Sequence, residues 1–473
     1  MIRQYLPYKS GLLSDLTDIM TGKYFKPDEL NWIGIKFLDP IGRVFLMDGD
    51  YYRAIYPEKV EYVHNLFKSG LIDELIREKI LLPVQQTDIV VEGYGLVLKT
   101  KGTTWKIEPH TFTRRTLKMA ALNWIKMNEF LLIHDMGLID AHLGNVRLTG
   151  KCEPLWIDLG SIQPLNREDQ GIREFMQCQI HPLVIFGSQK NLDHVVRLLI
   201  QNGGISNKEF NNLIGLDIVR FISVKMINIT AQINRILRHF GLESVFQRRF
   251  YLKLLKNIVA SVNVEPPHKS WTDYRNSDVS QPETAEFNQT NADSRPQKVL
   301  DLINKIHPKT MIDVGANDGV FSVLAAQSCN KLLAIDSDEG AIDKFVQWAL
   351  NTPLDIEASG CVDDFHHIHY RADLVLGLAL VHHLAISQQY KFDYIAKRFA
   401  DMSDRALITE FMPNGIGVGK KMPDPLPEYY KLEYFIIELK KYFTCVDVIN
   451  YDRDSKLSPR ILIFCYGKID SDN

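Results

Sequence analysis

Short apolar runs alternate with helix-like segments over the last part of this chain, and no other feature constrains its fold as strongly. The runs "TMIDV", "KLLAI", "ADLVLGLAL" and "RALITEF" are typical of strands, whereas "QKVLDLINKI" and "EGAIDKFVQWAL" carry apolar residues at helical spacing. Such strands predict a parallel sheet that is covered on both faces. A helix at "YYKLEYFIIELKKYF" and two final apolar runs around a polar turn predict a terminal antiparallel hairpin. We therefore predict an α/β domain over residues 297–473.

The first predicted strand ends in a glycine turn, "MIDVGANDGVFS", that contains Asp313, Gly315, Asn317 and Gly319. Glycine lets the backbone turn tightly and approach a ligand above the sheet edge, although a tight turn without a ligand has the same pattern. The next strand ends in Asp336, where a carboxylate can accept both hydroxyls of a ribose. Because the turn lacks the Gly-x-Gly-x-x-Gly spacing for a pyrophosphate, we predict a nucleoside ligand.

These motifs, together with "ADLVLGLALVHHLAIS" and "RALITEFMP", resemble the class I S-adenosylmethionine-dependent methyltransferases of the nodulation-protein (NoeA-like) type over about residues 265–473. The resemblance implies a Rossmann-like methyltransferase fold and S-adenosylmethionine as the cofactor. It also implies that the residues of the glycine turn surround the methionine part and that Asp336 holds the ribose. Asp363 or Asp364 would approach the adenine, and a helix cap or a solvated turn is the alternative for this pair.

Methyl transfer is an in-line displacement in which the protein aligns the acceptor and removes its proton. His382 and His383 follow the fourth strand, which by the resemblance faces the methyl group, and an imidazole can act as this base near neutral pH. Packing or a hydrogen bond to the cofactor is the competing role for one of them. Glu410 is a lesser candidate for substrate contact. The segment "DDFHHIHY" adds three histidines, but we expect no metal there because adjacent histidines do not easily face one ion.

A second motif lies in "HDMGLIDAHLGNVRLTGKCEPLWIDLGSI", where Asn145 follows Asp140 by five residues and Asp158 follows a predicted strand. Phosphoryl transfer needs a carboxylate to orient the acceptor hydroxyl, and an amide and a carboxylate to hold magnesium. The motif resembles the catalytic loop of protein-kinase-like and small-molecule kinases. That resemblance implies ATP and magnesium, with Asp140 as the base and Asn145 and Asp158 as metal ligands.

The kinase motif is incomplete in this sequence. No Gly-x-Gly-x-x-Gly loop precedes it, and the strand that should carry a phosphate-binding lysine offers Arg53 instead, while Lys99 and Lys101 fall where a hinge is expected. An active kinase, an inactive kinase-like scaffold and a chance similarity all stay open. Strand-like pieces up to about residue 100 and mostly helical segments after residue 116 predict a two-lobed α+β domain before the methyltransferase domain.

A segment rich in Pro, Asn, Ser and Thr separates the two predicted regions. We predict a kinase-like domain over residues 1–262, a linker and cap over 263–296 that includes Trp271, Tyr274 and Phe287, and a methyltransferase domain over 297–473. The chain has 473 residues, enough for more than one core.

Composition limits the kinds of binding partner that we expect for this chain. A net charge of −3 gives no reason to expect nucleic acid, and six scattered cysteines are typical of a reducing compartment, so we expect a cytoplasmic protein. No apolar run is long enough for a membrane span. The combined hypothesis is a bifunctional enzyme that methylates, and also phosphorylates, a carbohydrate, a glycolipid or another small molecule. One alternative is a methyltransferase whose first domain only binds or regulates, and another is a binding or regulatory protein with two degenerate domains.

Overall fold

A computed structural model of the chain describes residues 23–33, 39–165, 171–188, 191–214, 245–266, 294–353, 355–415, 426–449 and 459–469. The chain forms two compact units. The smaller unit consists of residues 1–103, 126–139 and 156–170, and the larger unit consists of residues 104–125, 140–155 and 171–473. The predicted bounds of the three domains stay predictions, and the cap residues Trp271, Tyr274 and Phe287 lie outside the described residues.

The smaller unit contains an antiparallel sheet of five strands in the order β2-β3-β4-β7-β5, and two further strand pairs, β1 with β6 and β8 with β11. Its strands are β1 (Tyr24–Phe25), β2 (Asn31–Ile33), β3 (Gly42–Met47), β4 (Asp50–Ile55), β5 (Val84–Gln86), β6 (Val90–Val91), β7 (Leu96–Thr100), β8 (Met136–Leu138) and β11 (Ile162–Pro164). Helices α1 (Val60–Lys68) and α2 (Leu71–Arg77) lie between β4 and β5 in the chain. Helix α2 stops before "EKILL", five residues earlier than the helix-like segment that the sequence suggests.

The hairpin of β3 and β4 shows why this sheet forms. Asp48 and Gly49 have φ angles of 52° and 82°, as a two-residue hairpin turn requires. The turn sets Phe45 opposite Tyr52, and these rings stack with centroids 5.3 Å apart in a small apolar core. Apolar side chains at alternate positions therefore fix both the register and the buried face.

The larger unit begins with helices and a two-stranded ribbon. These elements are α3 (Arg114–Leu131, in this unit as far as Ile125), β9 (Val146–Leu148), β10 (Pro154–Trp156, in this unit as far as Leu155), α4 (Ile172–Phe175), α5 (His181–Gly187), α6 (Asp193–Gln201), α7 (Asn207–Ile214) and α8 (Val245–Ser261).

A seven-stranded sheet with the order β14-β13-β12-β15-β16-β18-β17 follows, and its first five strands are parallel. Its elements are α9 (Arg295–Ile306), β12 (Thr310–Val314), α10 (Val320–Ala325), β13 (Lys331–Asp336), α11 (Glu339–Asn351), β14 (Glu357–Val362), β15 (Ala372–Gly377), α12 (Phe392–Met402), β16 (Ser403–Phe411), α13 (Leu432–Leu439), β17 (Phe443–Ile449) and β18 (Ile461–Lys468). Strands β17 and β18 form an antiparallel hairpin that pairs with β16. The predicted α/β class is confirmed, with a mostly parallel sheet and a terminal hairpin.

Two predicted elements are shorter than the sequence suggested. Strand β15 ends at Gly377 because Ala379 has a φ of 51°, which turns the chain out of the sheet. Helix α13 spans Leu432–Leu439, inside the predicted "YYKLEYFIIELKKYF". Within the described residues, no helix combines the length and the apolar character that crossing a membrane requires.

Buried ion pairs join the early helices of the larger unit to its sheet domain. Arg114 is fully buried at the start of α3, and its guanidinium reaches Glu339 of α11 at 3.3 Å and Asp193 of α6 at 2.6 Å. Arg197 also contacts Glu339, at 2.8 Å. Glu339, only 3% exposed, therefore has two cationic partners that come from residues far earlier in the chain.

Candidate functional site

The glycine turn lies at the carboxyl end of β12, beside the end of β13. The amides of Gly315 and Ala316 both donate to the carbonyl of Ile335, at 2.9 and 3.0 Å. Gly315, Asn317 and Gly319 have φ angles of 70°, 54° and 77°, so the backbone takes three left-handed steps before α10 begins.

Packing accounts for part of the glycine requirement. A Cβ atom at Gly319 would lie 2.4 Å from the Phe345 ring, and one at Gly315 would lie 3.2 Å from Leu380. Gly319 is therefore needed for a close helix contact as well as for the turn.

Asp336 is held beside this turn by backbone amides. Its carboxylate oxygens accept from the amide of Asn317 at 2.7 Å and from the amide of Asp338 at 2.8 Å. Burial raises the pKa of Asp336 to about 6, against the lowering effect of these two hydrogen bonds. Each carboxylate oxygen can accept more than one hydrogen bond, so the group keeps capacity for hydroxyl donors.

Asp313 is buried under the turn, where it accepts a hydrogen bond from Ser322 Oγ at 2.7 Å. This bond ties the end of β12 to the first turn of α10. Asp313 thus supports the shape of the turn from below.

Asp363 and Asp364 follow β14 at the same edge of the sheet. The Asp363 amide donates to the carbonyl of Asp336 at 3.1 Å, so the two strand ends are directly joined. The structure therefore brings five of the predicted cofactor residues, Asp313, Gly315, Asn317, Gly319 and Asp336, to one edge, with Asp364 two residues beyond the end of β14.

The adjacent histidines after β15 have different environments. His382 is 4% exposed, and burial, assisted by His383 and Arg460, lowers its pKa to about 3. Its Nδ1 atom is buried and has no hydrogen-bond partner among the described residues. His383 is half-buried, with its ring centroid 4.0 Å from that of His382. A neutral His382 is a weak base at neutral pH, so His383 is the better placed of the two for proton removal.

Glu410 is not exposed for substrate contact, which corrects the sequence-based expectation. It is fully buried and forms a two-pronged ion pair with Arg295, at 2.6 and 2.7 Å. Although burial acts to raise its pKa, Arg295 and Arg460 lower it to about 2. Glu410 also accepts from the amide of Ala379 at 3.0 Å, so it holds the chain that leads to the two histidines. No local pattern could have indicated Arg295, which lies 115 residues away.

These residues fit a nucleoside with a charged methionine tail. The carboxylate of Asp336 offers acceptors for ribose hydroxyls, and the buried Nδ1 of His382 lacks a partner on the described chain. When bound, S-adenosylmethionine would supply an electrophilic methyl group on a positively charged sulfur.

The kinase-like motif is divided between the two compact units. Asp140 and Asn145 belong to the larger unit, where Asp140 accepts from the amide of His142 at 2.7 Å and Asn145 ends a short 3-10 turn. Glu174, which the sequence did not indicate, accepts from the amide of Ala141 at 2.7 Å. Burial raises the pKa of Glu174 to about 7, and its hydrogen bond and charge interaction with Asp140 act in the same direction.

Asp158 belongs to the smaller unit and is bound to an arginine. Arg53 on β4 donates to its carboxylate at 2.7 Å and also lies 3.2 Å from Asp39. Burial acts to raise the pKa of Asp158, but the charge of Arg53 and hydrogen bonds from Arg53 and Gly160 outweigh it, so the pKa is lowered. Arg53, which stands where a kinase lysine is expected, therefore already pairs with Asp158, the predicted magnesium ligand.

No family model matches the sequence. The chain is 25% identical over 340 residues to nodulation protein NoeA of Rhizobium meliloti (strain 1021), covering 64% of this chain and 68% of that protein. The match to the structure of N-methyltransferase NodS of Bradyrhizobium japonicum WM9 covers 40% of this chain and 99% of NodS, at 15% identity and a TM-score of 0.31. The match to the structure of the bifunctional kinase–methyltransferase WbdD covers 40% of this chain and 42% of WbdD, at 21% identity and a TM-score of 0.29.

Proposed function

We propose that the larger unit binds S-adenosylmethionine at the carboxyl edge of its seven-stranded sheet and transfers the methyl group to a small-molecule acceptor. One observation carries the proposal. Asp336, at the end of β13, accepts hydrogen bonds from the turn amides of Asn317 and Asp338, and both of its oxygens can accept further donors. Asp313, Gly315 and Gly319 would then line the methionine side, and Asp363 or Asp364 would approach the adenine side.

The chain's part in methyl transfer is to orient the acceptor and take its proton. We assign the base to His383, which is half-buried, and a hydrogen-bonding role to the neutral His382. The acceptor oxygen or nitrogen would give its proton to the His383 imidazole as it attacks, while S-adenosylmethionine, when bound, would supply the methyl group and the sulfur as leaving group.

A hydroxyl-rich acceptor, such as a carbohydrate or a glycolipid, suits both sequence motifs. Methyl transfer acts on a nucleophilic oxygen whose proton must be removed, and a kinase-like scaffold would bind a hydroxyl-bearing molecule without phosphorylating it. Incubating the full chain with labelled S-adenosylmethionine and a pool of glycans and metabolites, with and without ATP, would identify labelled products by mass spectrometry. Label that appears only in protein or nucleic acid fractions would contradict the proposed acceptor class.

Cofactor binding is tested by calorimetry of the full chain with S-adenosylmethionine. We expect Asp336→Asn to weaken binding by about 10- to 100-fold, since hydrogen bonds to a charged acceptor contribute about 1.5–3 kcal/mol. Asp373→Asn is the matched control, because Asp373 likewise accepts two backbone amides but lies at the opposite, amino end of the sheet. Equal affinities for Asp336→Asn and the unchanged chain would overturn the site.

For the kinase-like motif, we infer a scaffold without phosphoryl transfer. The supporting observation is that Asp158 does not fit a magnesium ligand as it stands, because the guanidinium of Arg53 already holds its Oδ1 atom at 2.7 Å. An active kinase would instead use Asp140 as the base, with Asn145 and Asp158 on magnesium.

ATP turnover by the full chain separates these two functions. We expect no release of labelled phosphate above that of an Asp140→Asn, Asp158→Asn double variant, with or without the glycan pool. Turnover in the unchanged chain that this double variant lacks would establish a kinase and contradict the scaffold.

A further inference from the structure

A short turn after β14 brings together three side chains that bind metals. The ligand atoms of Asp364, His366 and His367 all lie within 4.8 Å of one another. Asp364 is half-buried and both histidines are exposed. We expected no metal here from the sequence, and this grouping is the reason to propose one.

The shape of the turn explains why the adjacent histidines converge. The amide of His367 donates to the carbonyl of Asp364 at 2.9 Å, which closes a tight turn, and Phe365 and Ile368 are buried beneath it. In such a turn successive side chains do not alternate between opposite faces as they do in a strand. The rings of His366 and His367 are accordingly only 3.9 Å apart between centroids.

The backbone of this turn is anchored from the neighbouring helix. Arg398 of α12 donates to the carbonyls of Phe365 and His366, at 3.3 and 3.2 Å, and also to that of Ile368. Its guanidinium is thereby directed toward backbone oxygens. Because the backbone of the turn is held and the two histidine side chains are exposed, the three ligand side chains need only rotate to bind one ion.

We propose that Asp364, His366 and His367 form a binding site for a divalent transition metal of the zinc type. Two imidazoles and a carboxylate are a ligand set that zinc accepts, with a fourth position left for water. In a tetrahedral zinc site neighbouring ligand atoms are about 3.3 Å apart, so the three side chains must approach by rotation. Asp363 Oδ1 lies 4.0 Å from His367 Nδ1, which is beyond hydrogen-bond distance, so Asp363 would orient that ring only after a side-chain rotation.

The metal site adjoins the proposed cofactor edge without depending on it. The amide of Asp363 is bonded to the carbonyl of Asp336, so the metal would sit just beyond the end of β14. Asp364 would then be a metal ligand in place of an adenine contact. The metal would fix the turn that borders the cofactor site.

Zinc titration of the chelator-stripped full chain tests the site. By calorimetry we expect one saturable Zn²⁺ ion for each chain, and a loss of at least 10-fold in affinity in His366→Ala and in His367→Ala. His369→Ala is the matched control, because His369 is an exposed histidine of the same segment that is not part of the cluster. Asp363→Asn should weaken binding by about 10-fold if it orients His367.

Circular dichroism of each variant shows that a loss of binding is not a loss of fold. The proposal is overturned if the unchanged chain binds no zinc, if His366→Ala and His367→Ala bind as it does, or if His369→Ala is weakened equally. Binding of S-adenosylmethionine is measured separately, so a failure of the cofactor site would not affect this result.

Discussion

Asp336 and Asp158 both follow a strand at a position where the sequence indicates a ligand, yet they are bound in opposite ways. In the larger unit, backbone amides hold Asp336, and burial raises its pKa to about 6. In the smaller unit, Arg53 lies 2.7 Å from Asp158, and the pKa of that carboxyl group is lowered despite burial.

Asp336 and Asp158 differ in the ligand that each carboxylate can still accept. Amides neutralise only part of the charge of Asp336, so hydroxyl donors would improve its environment. Asp158 already has a full positive charge beside it. A magnesium ion would therefore have to displace Arg53 or share the Asp158 carboxylate with it. Similar strand-end acids in a sequence can therefore have very different binding capacity.

The largest effect that would separate the two acids is on stability. Arg53→Met leaves Asp39 and Asp158 facing each other without a cation, and we expect the smaller unit to lose about 3 kcal/mol of unfolding free energy. Hydrogen exchange of the β4 amides would measure this loss, which should shrink at acid pH as the carboxylates become protonated.

Lys99→Met is the control for that experiment. Lys99 pairs with Asp50 on the same sheet at 2.8 Å, but its side chain is 32% exposed, so we expect a change below about 1 kcal/mol. Equal losses for the two variants would show that the Arg53 cluster is an ordinary surface pair.

A smaller effect should appear in the pH dependence of cofactor binding. Ribose hydroxyls donate to the ionised form of Asp336, so below its pKa of about 6 the group must first lose a proton. We expect affinity to fall by up to about 10-fold for each pH unit below 6 and to be constant above 7. Calorimetry should show no such dependence for Asp336→Asn, and a rise in affinity on acidification would contradict this role.

The smallest effect concerns the helix that begins after Asp336. Asp338 caps α11 by accepting from the amides of Gly340 and Ala341, at 2.9 and 3.3 Å. Asp338→Ala should cost about 1 kcal/mol of stability in thermal unfolding. Asp393→Ala, at an exposed position in the first turn of α12, should cost less, so an equal loss would argue against the cap.

The sequence predicted much of the sheet and its edge because those signals are local. Strand β12 has the predicted bounds, and β13 ends at Asp336, as the sequence indicates. Strand β14, "EASGCV", was poorly marked because small and polar residues dilute its apolar pattern.

Contacts between distant residues could not be predicted in the same way. Arg53 and Asp158 are 105 residues apart, and Arg114 and Glu339 are 225 residues apart. Periodicity indicates which face of an element is buried, but it does not indicate which charges meet inside. The grouping of Asp364, His366 and His367 was not predicted either, because adjacent histidines were not expected to face one ion.

The ion pairs of Glu339 also limit where this chain can be divided. A protein truncated at the Pro- and Asn-rich segment would keep Glu339 but lack Arg114 and Arg197, so the face of α11 that these arginines cover would be open to solvent and the ion pairs would be lost. The compositional boundary is therefore a poor place to cut for expression.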